Sequence, residues 1–156
     1  SGQLALVQFC LANGLDVHAR NEDGCTPLFS AAGGDGGVKV FQALLDAGAK
    51  LEDACGEEES LMHQAVWSGS RELVEHLLLL GHDINISKQG GLPIHQVMQQ
   101  GKFEFFSFLV SSGAKFDELD QYGSTLLHHA ANWGADSRII EWLLENGFEV
   151  NAINQL

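Results

Sequence analysis

Seven histidines are the residues of this chain best able to ligate a metal or move a proton near neutral pH, and their spacing argues against both roles. His128 and His129 are adjacent, and neighbouring residues on a helix do not share a face. No His-Glu-x-x-His or Cys-x-x-Cys run accompanies them. The three cysteines, Cys10, Cys25 and Cys55, are an odd number in no zinc-like spacing. They point to a reducing compartment rather than a secreted disulfide framework. Gly33-Gly34-Asp35-Gly36-Gly37 before Val38-Lys39 has the glycine density of a phosphate-cradling loop. It lacks the Gly-Lys-Ser/Thr ending, follows no strand and stands among acidic residues, so it reads as a loop between two helices. No nucleophile, base and orienting group can be placed together. No catalytic residue, cofactor or metal is assigned, and the chain reads as a non-enzyme.

Charge narrows the partners. Eight Lys and Arg stand against 21 Asp and Glu in 156 residues, a formal charge of −13. A polyanion would bind against that field, which disfavours nucleic acid and anionic membranes and favours a protein or peptide that is basic in part. Hydrophobic residues make up 45% of the chain with only two prolines, a folding composition. Apolar runs fall far short of the roughly 20 residues that span a bilayer.

The elements that must position any site repeat along the chain. A glycine follows a leucine-rich stretch at Gly14, Gly48, Gly81, Gly113 and Gly147, at spacings of 34, 33, 32 and 34. Before four of them stand Val40, Phe41, Leu44 and Leu45; Leu73, Val74, Leu77 and Leu78; Phe105, Phe106, Leu109 and Val110; and Ile139, Ile140, Leu143 and Leu144. That spacing puts each quartet on one helical face. The glycine suits a helix C-terminal cap, where a positive φ costs little without a Cβ. Upstream lie Thr26-Pro27-Leu28-Phe29, Ser60-Leu61-Met62-His63, Leu92-Pro93-Ile94-His95 and Thr125-Leu126-Leu127-His128. A Thr or Ser with proline just inside is a helix start. Each period therefore reads turn, short helix, loop, longer helix, turn.

Asn21-Glu22-Asp23-Gly24-Cys25-Thr26-Pro27-Leu28 and Tyr122-Gly123-Ser124-Thr125-Leu126-Leu127-His128-His129-Ala130-Ala131 carry a specific resemblance. With that period, the chain resembles the ankyrin repeat family. The likeness implies an all-α repeat solenoid of helix-turn-helix units joined by β-turn or hairpin fingers. The expected divisions are 1–20 as a partial repeat, 21–54, 55–86, 87–119 and 120–153 as four repeats, and 154–156 as the start of another, all within an excerpt of a longer protein. Departures are Glu58 in place of the turn glycine, Leu92 in place of threonine, and one extra residue in each of the first and fourth repeats. The resemblance also implies that His63, His95 and His128 orient turn backbone by hydrogen bonding.

For function it implies a protein-binding module that uses the fingers and a concave face of first helices. Trp67 and Trp133 end first helices and Tyr122 lies on a finger, and such aromatics are preferred interface anchors. Packing against neighbouring repeats is the competing role. Glu22, Asp23, Glu57 and Glu59 make an acidic finger surface with Glu52, Asp53 and Glu58. Lys88, Gln89, Gln99 and Gln100, with Ser68, Gln121 and Asn132, extend the expected binding face. Trp142 is expected at the core's edge or on the back. Asn85 and Asn151 are candidate hydroxylation sites, each with an acidic residue two before and a leucine eight before. Substrate recruitment within a larger enzyme (a ubiquitin-ligase adaptor, a kinase or a pathogen effector) and a structural spacer in a long array are the alternatives. The expected location is intracellular, cytoplasmic or nuclear, with a secreted pathogen effector as the exception.

Overall fold

The computed structural model describes residues 2–34, 37–52, 55, 59–88 and 91–154. Among the described residues are nine α-helices and no extended strand. They are α1 (Gly2–Ala12), α2 (Pro27–Gly33), α3 (Gly37–Asp46), α4 (Leu61–Trp67), α5 (Arg71–Leu79), α6 (Pro93–Gln96), α7 (Phe103–Ser111), α8 (Leu126–Trp133) and α9 (Ser137–Glu145). The fold is all-α. A 3₁₀ turn, Val97–Gln99, continues α6. The chain divides into two compact units, Ser1–His82 with α1–α5 and Asp83–Leu156 with α6–α9.

The periodic glycines end helices as their spacing predicts. Gly48 has φ +98°. Its N–H donates to the Leu45 carbonyl, and the Ala49 N–H reaches back to the Leu44 carbonyl. This pair of bonds satisfies carbonyls that a helix end would leave bare. The same two bonds recur at Gly14, Gly81, Gly113 and Gly147.

Helix starts follow side-chain chemistry. The Thr26, Ser60 and Thr125 hydroxyls accept from the N–H of Phe29, His63 and His128, opening α2, α4 and α8. Leu92 has no such acceptor, and its helix runs only four residues before tightening into the 3₁₀ turn. Gly101 then takes φ +59°, and a Cβ there would stand 3.2 Å from the Ala135 backbone.

In the first unit α2 packs on α3 and α4, α4 on α5, and α3 on α1 and α5. Leu28, Phe41, Leu44, Leu61, Met62, Leu73 and Leu77 are fully buried there. In the second unit α8 packs on α9 and the 3₁₀ turn, and α7 on α9 and the 3₁₀ turn, around Ile94, Met98, Phe106, Leu109 and Leu126. Each such side chain contributes about 1.5–3 kcal/mol relative to exposure. The first three members of each apolar quartet form the core, except that Ile140 is only half-buried. Of the last members, Leu45, Leu78 and Val110 lie at its margin and Leu144 is exposed.

One pairing departs from the sequence reading. Cys25 and Cys55 form a disulfide, with Cα atoms 4.0 Å apart. Cysteine spacing does not show it, because the two meet only when one turn lies against the next. Cys10 is a free cysteine.

Candidate functional site

The turns that precede the first helices are built from one backbone pattern with different side chains. In the first unit, the Asn21 N–H donates to the Cys25 carbonyl, and Asn21 Oδ1 accepts from the Asp23 and Cys25 N–H groups at 3.1 and 2.8 Å. In the second unit Asp120 does the same. Its N–H donates to the Ser124 carbonyl, and Oδ1 accepts from Tyr122 and Ser124 at 2.8 Å each. The side chain thus supplies the turn with an acceptor of its own. Gly24 and Gly123 take the positive φ that closes each turn.

Asp120 has a second oxygen that an asparagine would not offer as an anion. Oδ2 lies 2.9 Å from His129 Nε2. The His129 ring lies against that of His95, tilted by 31° with centroids 5.2 Å apart. His95 Nδ1 accepts from the Leu92 N–H at 3.0 Å, which makes Nε2 the protonated nitrogen facing the Glu118 carbonyl at 3.2 Å. Burial pushes the Asp120 carboxyl up. The N–H groups of Ser124 and Tyr122 and the His129 ring together outweigh it, and Asp120 titrates below the usual range.

His63 and His128 share the capping role implied for them. Their Nδ1 atoms accept from the N–H of Ser60 and Thr125 at 3.4 and 3.2 Å. Each imidazole closes a reciprocal cap with a hydroxyl. The three histidines of this position are thereby engaged in helix starts.

Trp67 and Trp133 stand at the last positions of α4 and α8, 48% and 50% exposed, and Tyr122 is 49% exposed on its turn. These helices are held by capped N-termini, so each indole projects from a fixed backbone. Ser68 is exposed, but its hydroxyl donates to the Ala65 carbonyl. Glu22 and Asp23 are exposed, while Glu59 is half-buried and accepts from the Gln64 amide at 2.7 Å. In the second unit Gln99, Gln121 and Asn132 are exposed, and Lys88 and Gln100 half-buried. Glu57, Gln89, Asp53 and Glu58 lie outside the described residues. So do Asp35 and Gly36 of the glycine-rich loop, whose flanks end α2 and begin α3.

Trp142 lies at the edge of the second unit's core, edge-on to Phe106 at 5.1 Å and Phe116 at 5.0 Å. Asn85 is stitched across its unit: Nδ2 donates to the Gly113 carbonyl at 3.0 Å and Oδ1 accepts from Lys115 N–H at 2.8 Å. Asn151 is exposed. A shallow hollow of about 300 Å³ is lined mainly by Leu127, Ala131, Ile140, Leu144 and Val150.

Sequence reasoning missed three arrangements: the Cys25–Cys55 bond, the Asp120–His129–His95 cluster, and Arg138, which bonds Asp136 and Glu104 and lies 4.9 Å from the Phe103 ring centre. Asp120 was the one legible signal, since it stands where Asn21 stands. These hydrogen bonds hold the Glu104 and Asp136 carboxyls below their usual range and raise the Arg138 guanidinium. Burial lowers His82, against the opposing charge of Glu52.

Comparison with known proteins agrees with this architecture. The chain is 28% identical over 157 residues to ankyrin repeat protein nuc-2 of Neurospora crassa, covering 99% of this chain and 14% of that protein. It is 28% identical over 116 residues to transient receptor potential cation channel subfamily A member 1 of Homo sapiens, covering 69% of this chain and 10% of the channel. It is 32% identical over 77 residues to BRCA1-associated RING domain protein 1 of Caenorhabditis elegans, covering 49% and 11%. The chain thus spans only about a tenth to a seventh of these relatives. A family model of ankyrin repeats in three copies matches residues 1–88 and again 62–154. That match covers nearly the whole chain, and the chain belongs to the ankyrin repeat family.

Proposed function

We propose that this chain is a protein-binding module that presents an aromatic anchor in each unit: Trp67 in the first, Trp133 with Tyr122 in the second. Ankyrin repeats are protein–protein interaction modules, and the finer reading concerns where and what this one binds. The observation that carries it is the half-exposure of both tryptophans at the ends of capped helices. An indole held by a rigid backbone buries much area while losing little freedom. Ser68, Gln99, Gln100, Gln121 and Asn132 would surround these anchors with adaptable polar contacts.

Exposed Glu22 and Asp23, with Glu57 and Glu59 on the next turn and Lys88 and Gln89 on the third, favour a partner that is basic at one end. Such complementarity acts on partner choice and on-rate more than on affinity. The reading is of a binder in the cytoplasm or nucleus, without catalysis of its own. The expected divisions at 21, 55, 87 and 120 remain the proposed repeat boundaries. Asn151 is the more accessible candidate for hydroxylation, because Asn85 would have to give up two hydrogen bonds; peptide mass spectrometry for an added oxygen tests both.

A second reading is recruitment of substrate for a larger protein. It is favoured by the small share of each relative that the chain covers.

The test is affinity capture from lysate with the wild type beside Trp67→Ala, Trp133→Ala and Tyr122→Ala variants of unchanged helicity. A captured protein is then titrated by calorimetry. Loss of either indole should weaken binding by at least about 2 kcal/mol. Equal affinity in a folded double-tryptophan variant would remove these residues from the interface.

A further inference from the structure

The turn of the first unit that opens at Cys55 differs from those that open at Asn21 and Asp120, and the difference has a chemical meaning. Asn21 and Asp120 open their turns and close them with a side-chain oxygen. Cys55 bridges Glu59 as Asn21 pairs with Cys25, so it occupies the same opening position. Its sulfur does not supply that oxygen acceptor. It bonds Cys25 of the preceding turn, opposite it across an antiparallel bridge. We propose that Cys25 and Cys55 form a reversible thiol–disulfide switch that locks and releases two successive turns of the first unit.

Four observations support reversibility. The antiparallel bridge places the two residues opposite one another through the backbone, so their proximity does not depend on the bond. Both sulfurs also lie near the Asp23 carbonyl oxygen, at 3.8 and 4.0 Å. A reduced thiol therefore finds an acceptor already in place. Neither residue is buried, so a small-molecule thiol or disulfide can reach the pair. The Thr26, Ser60 and Ser70 caps and the Gly48 and Gly81 helix ends lie outside the bond, so helix packing is expected to continue without it.

The chemistry balances with a low-molecular-weight disulfide such as glutathione disulfide. One cysteine loses its proton and attacks a sulfur of that oxidant. Its S–S bond breaks, one small thiolate leaves, and a mixed disulfide forms. The second cysteine, as thiolate, attacks the protein sulfur of the mixed disulfide and expels the second small thiolate. The two leaving thiolates take up the two protons. The protein sulfurs are each oxidised by one electron, and the small disulfide is reduced to two thiols. Excess small thiol runs the sequence backwards.

Locking affects the acidic turn directly, because Glu22, Asp23 and Gly24 lie in the Asn21 turn, which ends at the bonded Cys25. This proposal stands independently of the partner-binding reading.

The test equilibrates the whole chain in glutathione buffers of graded redox poise, followed by acid quenching, alkylation and peptide mass spectrometry. At the oxidising end one alkylated cysteine, Cys10, is expected, with the Cys25 and Cys55 peptides joined. At the reducing end three are expected, with helicity retained and a single reversible transition between. Amide exchange at residues 21–25 should slow at least tenfold on oxidation. Cys25→Ser and Cys55→Ser should abolish the redox dependence, and Cys10→Ser should keep it. Three alkylated cysteines in the most oxidising buffer, a bond to Cys10, equal exchange in both states, or loss of helicity on reduction would each overturn the switch. The wild-type comparison alone decides the matter if a variant fails to fold.

Discussion

The first and second units build the same helical pairs and secure their turns by different means. In the first, one turn closes on the Asn21 amide and the next is joined to it covalently through Cys25 and Cys55. In the second, the Asp120 carboxylate closes the turn and uses its remaining oxygen to hold His129 against His95. The cores differ as well. The first is mostly aliphatic around Phe41, while the second gathers Phe106, Phe116 and Trp142 edge to face. The lesson is that the ankyrin period constrains backbone pattern and helix faces, and leaves the chemistry that joins successive turns open to variation. The first unit's joint answers to redox conditions, and the second's to pH.

The strongest way to break this comparison is in the cores. Phe106→Ala should cost about 3–5 kcal/mol, and more than Phe41→Ala, because it also strips Trp142 of an edge-on partner. Urea unfolding followed by circular dichroism and Trp142 fluorescence checks the order. Next come the turns. Asp120→Ala should cost about 2 kcal/mol by leaving two backbone N–H groups and a histidine without their acceptor. Asp120→Asn should cost well under half of that, since Asn21 shows that an amide can close the turn. Similar losses in the two variants would mean that the His129 contact dominates.

Gly101→Ala should cost about 1–3 kcal/mol, from a positive φ and a Cβ pressed on the Ala135 backbone. Thermal unfolding compared with an alanine at exposed Gly134 separates the backbone clash from the φ penalty. The pH response should then split by unit. Asp120 titrates low, so its contribution is present above the ordinary aspartate value near ~3.9 and is lost as pH falls through its depressed value. His82 is held neutral by burial, so the first unit should lose stability as pH drops below the ordinary histidine value of about 6.5. Hydrogen exchange at pH 7.5 and 5.5 should show that loss in the first unit and not in its His82→Gln variant. Smallest of all, Arg138→Ala should change stability by no more than about 0.5 kcal/mol, because its ion pairs with Glu104 and Asp136 are exposed.

Much of this was readable from residue order. Five glycines at a nearly constant spacing, each behind an apolar quartet, specify helix ends by local backbone chemistry alone. Thr26, Ser60 and Thr125 specify starts in the same way. Leu92 in place of a hydroxyl cap is visible in the sequence, whereas the change to a 3₁₀ turn at Val97 is not. The Cys25–Cys55 bond was illegible for a different reason: it joins residues 30 apart whose proximity arises only from stacking. Position in the period made Trp67 and Trp133 candidates. Their exposure near one half depends on neighbouring helices, which the spacing does not encode.

The five glycine-ended helices carry an evolutionary consequence. Each helix terminates through bonds made within its own last turn and the residue beyond, so no helix needs a distant segment to tell it where to stop. Duplicating or deleting one whole period in register would therefore leave the remaining glycine-ended C-termini intact. Array length can drift between lineages while the local folding instructions stay unchanged.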